Sequence, residues 1–496
     1  MRTRQLAVVA GILVVVGACN FDITNSNQPT LDDLLTNPTR SKLSAAATGL
    51  FAGARGGIQG LIWRLGSMGR EGINLSGNNQ PDFIEPFYGP IVGGGSFGGT
   101  QWLDRYAHIR SANVYIAAVN KTTDLSTQEK AASLGMARTL KALAFMYVIE
   151  TRGALGAPVD VDQPLSAPPA PWANEDAVWA YIVAQLDSAH TSLGAAGSVN
   201  FPFPVPPGFD SPTSDFGTPA KFDQFNRALA AKANVFRATA QNGCGGAPAA
   251  CYTAALTALG QSFLDPSPAA YQNAANFDFG TGSGDATNAL SDPLNSPVFF
   301  ALAQNVTDAQ FQTGGVLRDQ RVIDKVVPVG PGDTLVYGGI PEIPGANKFT
   351  VFLSNGQSDD AHPIPIIKDE ELILLRAEAN WFGGSKTTAL ADIDSVRINS
   401  GKLPATALTT GSTNAAFVTE LLYNRRYSLL WEQGTRWIDA RRYGLIDPDG
   451  VTGAIPATST GGHIPLVMPV PQSECDARNL QSGPWTVNAN VVTCTP

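Results

Sequence analysis

Apolar residues recur along this chain at helical spacing, in blocks separated by tracts with no period. Trp102, Tyr106, Ile109, Ile116 and Val119 fall three, four and seven residues apart. Met136, Leu140, Leu143 and Tyr147 obey the same rule, as do Phe222, Phe225, Leu229, Ala233 and Phe236. Each set draws one apolar stripe along a helix of roughly three to five turns. A further helix is expected over 174–193, with Asn174 as N-cap and Glu175 and Asp176 in its first turn. Near the end, Leu372, Leu375, Ala379 and Phe382 form a stripe behind the acids Asp369, Glu370 and Glu371. A shorter helix over 389–399 is closed by Gly401 and Pro404. Another spans 417–433. Helices of this length in succession predict a mainly α fold with helical-repeat packing. A clean 34-residue tetratricopeptide consensus is not present.

Between the helices lie three tracts without period. Residues 53–100 are rich in Gly, Asn and Pro. Residues 196–219 contain FPFPVPPGFDSP, a rigid extended segment. Residues 265–365 carry turn signals and short apolar runs, which predict irregular structure with a few small strands. Gly and Pro number 50 and 35, and charged residues are only 15%, against ~25% in an average soluble protein. The surface is therefore built from loops and neutral polar groups, which suits neutral ligands.

The N-terminus departs from both patterns. Arg2 and Arg4 precede the apolar run LAVVAGILVVV, then Gly17, Ala18 and Cys19. This is the layout of a secretory signal peptide ending in a bacterial lipobox, whose cysteine is acylated at the new N-terminus. The run is well short of the ~20 residues of a membrane span. The expected organisation is a signal peptide over 1–18, a lipidated tether over 19–37 and one domain over 38–496. The membrane is then reached through the lipid on Cys19. Removing Arg2 and Arg4 leaves 31 basic residues against 42 acidic, a net charge of −11. That balance argues against nucleic acid as a partner and supplies no basic patch for anionic lipid.

Four cysteines remain, in two close pairs, Cys244 with Cys251 and Cys475 with Cys494. In an exported chain such pairs read as disulfides. Zinc would want tighter spacing or neighbouring histidines. The four histidines, His108, His190, His362 and His463, are scattered, so no metal and no other cofactor is expected. Asp447, Asp449 and Gly450 form a turn that lacks the remaining ligands of a calcium loop. Gly94-Gly95-Ser96-Phe97-Gly98 matches the G-x-S-x-G of a nucleophile elbow, but Pro86 and Pro90 spoil the strand that should precede it.

The glycine-rich tract before Trp102 is the better candidate for function. Glycan recognition needs flat aromatic faces for C–H surfaces and planar amides or carboxylates for hydroxyls. The tract supplies both, and the expected ligand contacts are Arg70, Asn78, Asn79, Asp82, Tyr88 and Trp102.

The string NRRYSLLWEQGTRWIDARRYG (424–444) resembles the ER-x-x-EL-x-x-EG-x-R-x-x-DL-x-R-x-G signature of the RagB/SusD family. Four further segments agree in order: MARTLKALAFMYVIETRGALGAP (136–158), PIPIIKDEELILLRAEA (363–379), IDSVRINSGKLP (393–404) and HIPLVMPVPQSE (463–474). Asn424 stands where the family usually has Glu, and Asn399 where Arg is common. The resemblance implies tetratricopeptide-like helix pairs forming an α-α superhelix, with a loop-rich ligand face and few strands. It also implies an outer-membrane lipoprotein, facing outward, that binds a nutrient glycan or peptide and delivers it to a SusC-like, TonB-dependent transporter without catalysis. Two other readings stand beside it: a secreted serine hydrolase using Ser96, and a non-catalytic helical-repeat adaptor. Within the signature, Glu432 and Arg436 read as an i, i+4 pair, and Trp431, Trp437 and Tyr443 as packing between helices, so the signature reads as scaffold.

Overall fold

The computed structural model describes residues 31–75, 85–87, 89–164, 166–294, 298–329, 347–446, 463–481, 483–485 and 488–495. Helices dominate it: α1 (Arg40–Ala54), α2 (Ile58–Met68), α3 (Thr100–Lys121), α4 (Thr127–Arg152), α5 (Glu175–Ala196), α6 (Pro219–Ala238), α7 (Pro248–Gly260), α8 (Asp369–Gly383), α9 (Lys386–Asn399), α10 (Asn414–Ser428) and α11 (Thr435–Arg442). From α3 to α9 each helix packs against the next in sequence. That is the helical-repeat packing expected from the stripes, in the helix-pair superhelix that the family resemblance implies.

Local chemistry starts these helices where the sequence says it should. Asn174 Oδ1 accepts the Ala177 amide at 2.9 Å at the head of α5. Ser126 and Glu129 form a reciprocal capping box on α4. Thr218 caps α6, with Pro219 at its first position. α4 is the central element. By length and composition it could cross a membrane, but 83% of its most apolar window is buried inside the protein. It is a core helix. At Gly135 a Cβ would stand 2.4 Å from Leu193 Cγ, so glycine lets α5 approach α4 closely.

One apolar core runs from Leu34 to Cys494. The proline-rich tract is sealed to it by rings. Phe51 of α1 lies 5.1 Å from Phe209 and 6.2 Å from Phe222 of α6, and Phe201 stacks on Phe203 at 5.0 Å. Cys244 and Cys251 are bonded across 6.1 Å between Cα atoms, and Cys475 and Cys494 across 5.9 Å.

Four expectations need correction. The tether does not reach residue 37: Leu31–Thr36 is a helix on α3, with Leu34 buried. The 53–100 tract contains α2, whose Ile58, Leu61, Ile62 and Leu65 are buried at helical spacing despite the surrounding glycines. The helix read over 417–433 stops at Ser428, and α11 begins only at Thr435. Lastly, α7 was not expected at all. Its sequence, PAACYTAALTALG, offers little polar contrast.

The break between α10 and α11 has a physical cause. Trp431 adopts φ 61° and Gly434 φ 64°. The indole of Trp431 enters a slot where Gly66 and Gly72 leave room. A Cβ on either glycine would come within 2.5 or 2.6 Å of its Cζ3. Phe349 stacks on the same ring at 4.1 Å and 9°. Burying this side chain, worth ~3 kcal/mol or more, exceeds the ~1–2 kcal/mol cost of a left-handed residue.

Candidate ligand-binding face

α2 ends at Gly69, and the chain turns through Arg70 at φ 55°. Gly72–Asn74 then pairs antiparallel with Phe299–Ala301. Asn347–Phe349 and Val326–Pro328 complete a four-stranded sheet. Ile73, Leu75, Phe87, Phe300 and Leu302 form a small apolar cluster, with Val329 packed against it. The sheet thus joins the 53–100 tract to the 265–365 tract. Leu75 and Val329 are the last described residues before 76–84 and 330–346.

Asn78, Asn79, Asp82 and Tyr88 lie outside the described residues, as do Cys19 and the turn at 447–450. Arg70 and Trp102 are described, and both are interior. Arg70 is 1% exposed. Its Nη1 donates to Ser67 O at 3.1 Å and Pro86 O at 2.8 Å, and its Nη2 to His463 O at 3.3 Å. The guanidinium lies 4.1 Å from the Phe87 ring centre. Arg70 pairs carbonyls that no regular structure pairs, and ligand contact does not fall to it. Trp102 is 3% exposed. It stacks on Trp172 at 5.7 Å and 12°, with Tyr106 at 4.6 Å and the Arg152 guanidinium at 5.2 Å. It belongs to the core stripe of α3 and is not a ligand platform.

Glu71, beside Arg70, is fully buried. Its backbone oxygen accepts Leu302 N at 3.0 Å, and its carboxylate accepts Trp431 N at 3.4 Å. Burial pushes its carboxyl up to about 7, against the pull of Arg436. It links the sheet to the segment between α10 and α11.

Ser96 sits in a glycine turn between the two-residue strand Ile91–Val92 and α3. Its Oγ accepts from Arg64 Nη2 at 2.7 Å and Nε at 3.3 Å. The Arg64 guanidinium is a donor to this hydroxyl and cannot itself act as its base. The glycines there serve close packing. A Cβ on Gly93 would meet Val470 O at 2.5 Å, and one on Gly98 would meet Gly93 O at 2.4 Å. Among the described residues no group of three or more His, Cys, Asp or Glu could hold a metal.

The C-terminal signature is buried machinery of another kind. Arg425 pairs with Asp439 at 2.6 Å and Glu371 at 3.4 Å. Lys232 reaches Glu371 at 3.3 Å. Lys325 and Lys368 hold Glu432 at 2.6 and 2.7 Å. Arg321 pairs with Asp319 at 2.7 Å and donates to Asn424 Oδ1 at 3.1 Å. Asp369, Glu370 and Glu371, at the head of α8, are all buried. The chain break separates Glu432 from the helix carrying Arg436. Arg436 Nη1 donates to Arg70 O at 2.9 Å instead. The signature is scaffold, and it grips the loop tract. Only residue type hinted at this: runs of Asp, Glu and Arg inside apolar helices.

No protein-family model and no curated protein matches the sequence. Solved structures match it along almost its whole length. A SusD superfamily protein from Bacteroides fragilis superposes with a TM-score of 0.63 at 16% identity, over 92% of this chain and 99% of that one. A SusD-like carbohydrate-binding protein from the same organism gives 0.63 at 14%, over 88% and 98%. A surface glycan-binding protein from Bacteroides uniformis gives 0.64 at 16%, over 88% and 98%. At this identity the likeness is one of fold: the chain is built as the SusD-like proteins are.

Proposed function

We propose that this chain is a SusD-like nutrient-binding lipoprotein, held by the lipid on Cys19 at the outer face of a Gram-negative outer membrane. It binds a glycan and passes it to a TonB-dependent transporter. The observation that carries this reading is the match of nearly the whole chain to SusD-like folds, among them a carbohydrate-binding and a surface glycan-binding protein. The low charge and the glycine-rich loops fit a neutral polar ligand.

The binding groups proposed are Asn78, Asn79, Asp82 and Tyr88, which follow the strand Gly72–Asn74 in sequence. Tyr88 would dock the apolar side of a sugar ring, and the amides and carboxylate would select its hydroxyls. An open site of this kind binds on the order of micromolar to millimolar. The test is a glycan array with the protein lacking residues 1–19, followed by alanine substitution at Asn79, Asp82 and Tyr88. At least a tenfold loss of affinity with unchanged melting is expected, equivalent to ~1.4 kcal/mol. Wild-type affinity in all three variants would move the site elsewhere.

A further inference from the structure

A cleft of about 350 Å³ lies away from the four-stranded sheet, between α1, the proline-rich tract and the strand Ala274–Phe277. Its floor is Phe51, Phe209 and Phe277, and one wall is the run Pro204-Val205-Pro206-Pro207. The wall is fixed in place. Gly208 O accepts the Asn276 amide at 2.9 Å, and Phe209 N donates to Pro206 O at 2.9 Å. A Cβ on Gly208 would stand 2.3 Å from Asn276 O, so the tract meets the strand backbone to backbone. The floor cannot collapse, because Phe51 and Phe209 are wedged among Phe203, Phe222 and Phe225.

The polar groups are few and contiguous. Arg55 donates to Asp278 O and to the Asp285 carboxylate. Asn276, two residues before Asp278, uses its Nδ2 on Ser214 Oγ at 2.9 Å and Ala274 O at 3.2 Å, and its Oδ1 accepts no hydrogen bond from the described residues. The cleft therefore has an apolar body and one polar edge, where Arg55 and Asp285 are paired and the Asp278 carboxylate lies beside them. A sugar ring carries hydroxyls around its whole rim. Most would face Phe and Pro carbons here, at ~1–3 kcal/mol for each unpaired group. A leucine- or phenylalanine-sized side chain leaves nothing unpaired in the floor, and its flanking amide meets the polar edge.

We propose that this cleft is a second binding site, one that takes an apolar side chain of a neutral peptide segment, with the peptide N–H directed to Asn276 Oδ1. It is small and preformed, at the lower end of the ~300–1,000 Å³ of ligand clefts. Affinity for a single residue is on the order of millimolar, because one side chain buries little area.

The probes are N-acetyl-leucine methylamide and, as its polar counterpart, methyl β-glucopyranoside. They are tested on the signal-free full chain by hydrogen exchange with mass spectrometry and by ligand-observed NMR. The expected result is protection of 204–210 and 274–286 by the leucine probe alone. Val205→Trp, which fills the cleft, should weaken its binding about tenfold. The footprint on the unmodified protein stands as evidence even where that variant fails to fold. Protection of the same segments by the glucoside and not by the leucine probe would overturn the ligand class. Protection of neither segment by either probe would overturn the site, whatever glycans bind elsewhere on the chain.

Discussion

His108 makes this protein acid-labile in a way that a single substitution should remove. Its ring lies on α3, 4% exposed, against Gly53 of α1, where a Cβ would stand 3.0 Å from Nδ1. Neither ring nitrogen has a hydrogen-bond partner among the described residues. Burial, helped by the positive charge of Arg105, pushes the imidazole down from 6.5 to about 3. The folded state keeps it neutral while the unfolded chain binds a proton below pH 6.5. Stability is therefore fully present above pH 6.5 and is lost as pH falls toward 3. Each unit is ~1.4 kcal/mol, and the contribution lost between pH 7.5 and 4.5 is ~2.7 kcal/mol. His108→Leu removes the titration and breaks no hydrogen bond. At pH 7.5 it should change stability by less than ~1.5 kcal/mol. Urea unfolding of both proteins at pH 7.5 and 4.5 gives the difference directly, because every other titrating group is shared. The wild type should lose ~2.7 kcal/mol more than the variant over that interval. Equal losses in the two proteins would mean that the buried imidazole is protonated or hydrated at pH 4.5, and the reasoning would fail.

Three further outcomes are expected. Arg425→Leu takes one cationic partner from buried Asp439 and Glu371, leaving Arg442 on the first and Lys232 on the second, and should destabilise the fold by ~3 kcal/mol in urea titration, whereas substituting the exposed Arg110 should cost under ~0.5 kcal/mol. Ser96→Ala should leave glycan affinity unchanged, and a fluorophosphonate probe should not label Ser96; labelling would revive the hydrolase. Cys19→Ala should shift the protein from the membrane pellet to the soluble fraction, and retention in the pellet at high salt in cells lacking the transporter would refute the lipid anchor.

The helices with a strong apolar contrast were legible from spacing: the stripes of α3, α4, α6 and α8 all face the core. Asn174 announced the start of α5 through its side-chain oxygen. α7 stayed hidden because its alanines and threonines give little contrast between faces, and α2 because it lies inside a tract whose Gly, Asn and Pro content reads as loop although its apolar residues keep helical spacing. The site was harder to read, for a chemical reason. Arginine and tryptophan recognise ligands with the same donors and faces that pair stray carbonyls and fill cores. At Arg70 and Trp102 the interior use prevailed. The acids at the head of α8 carried no hint of their partners: nothing in the local sequence says that Lys232 and Arg425 stand opposite Glu371.

The lodging of Trp431 between Gly66, Gly72 and Phe349 has a consequence for the two loop tracts it anchors. The pivot fixes one end of the first strand and one end of a second strand to the helical body with a single rigid plug. Whatever emerges from the other ends of those strands inherits a fixed platform. Loop length and loop chemistry can then drift without reopening the helical interior. The plug itself is locked, since a methyl group at either glycine collides with the indole. Novelty is confined to the far side of the tryptophan.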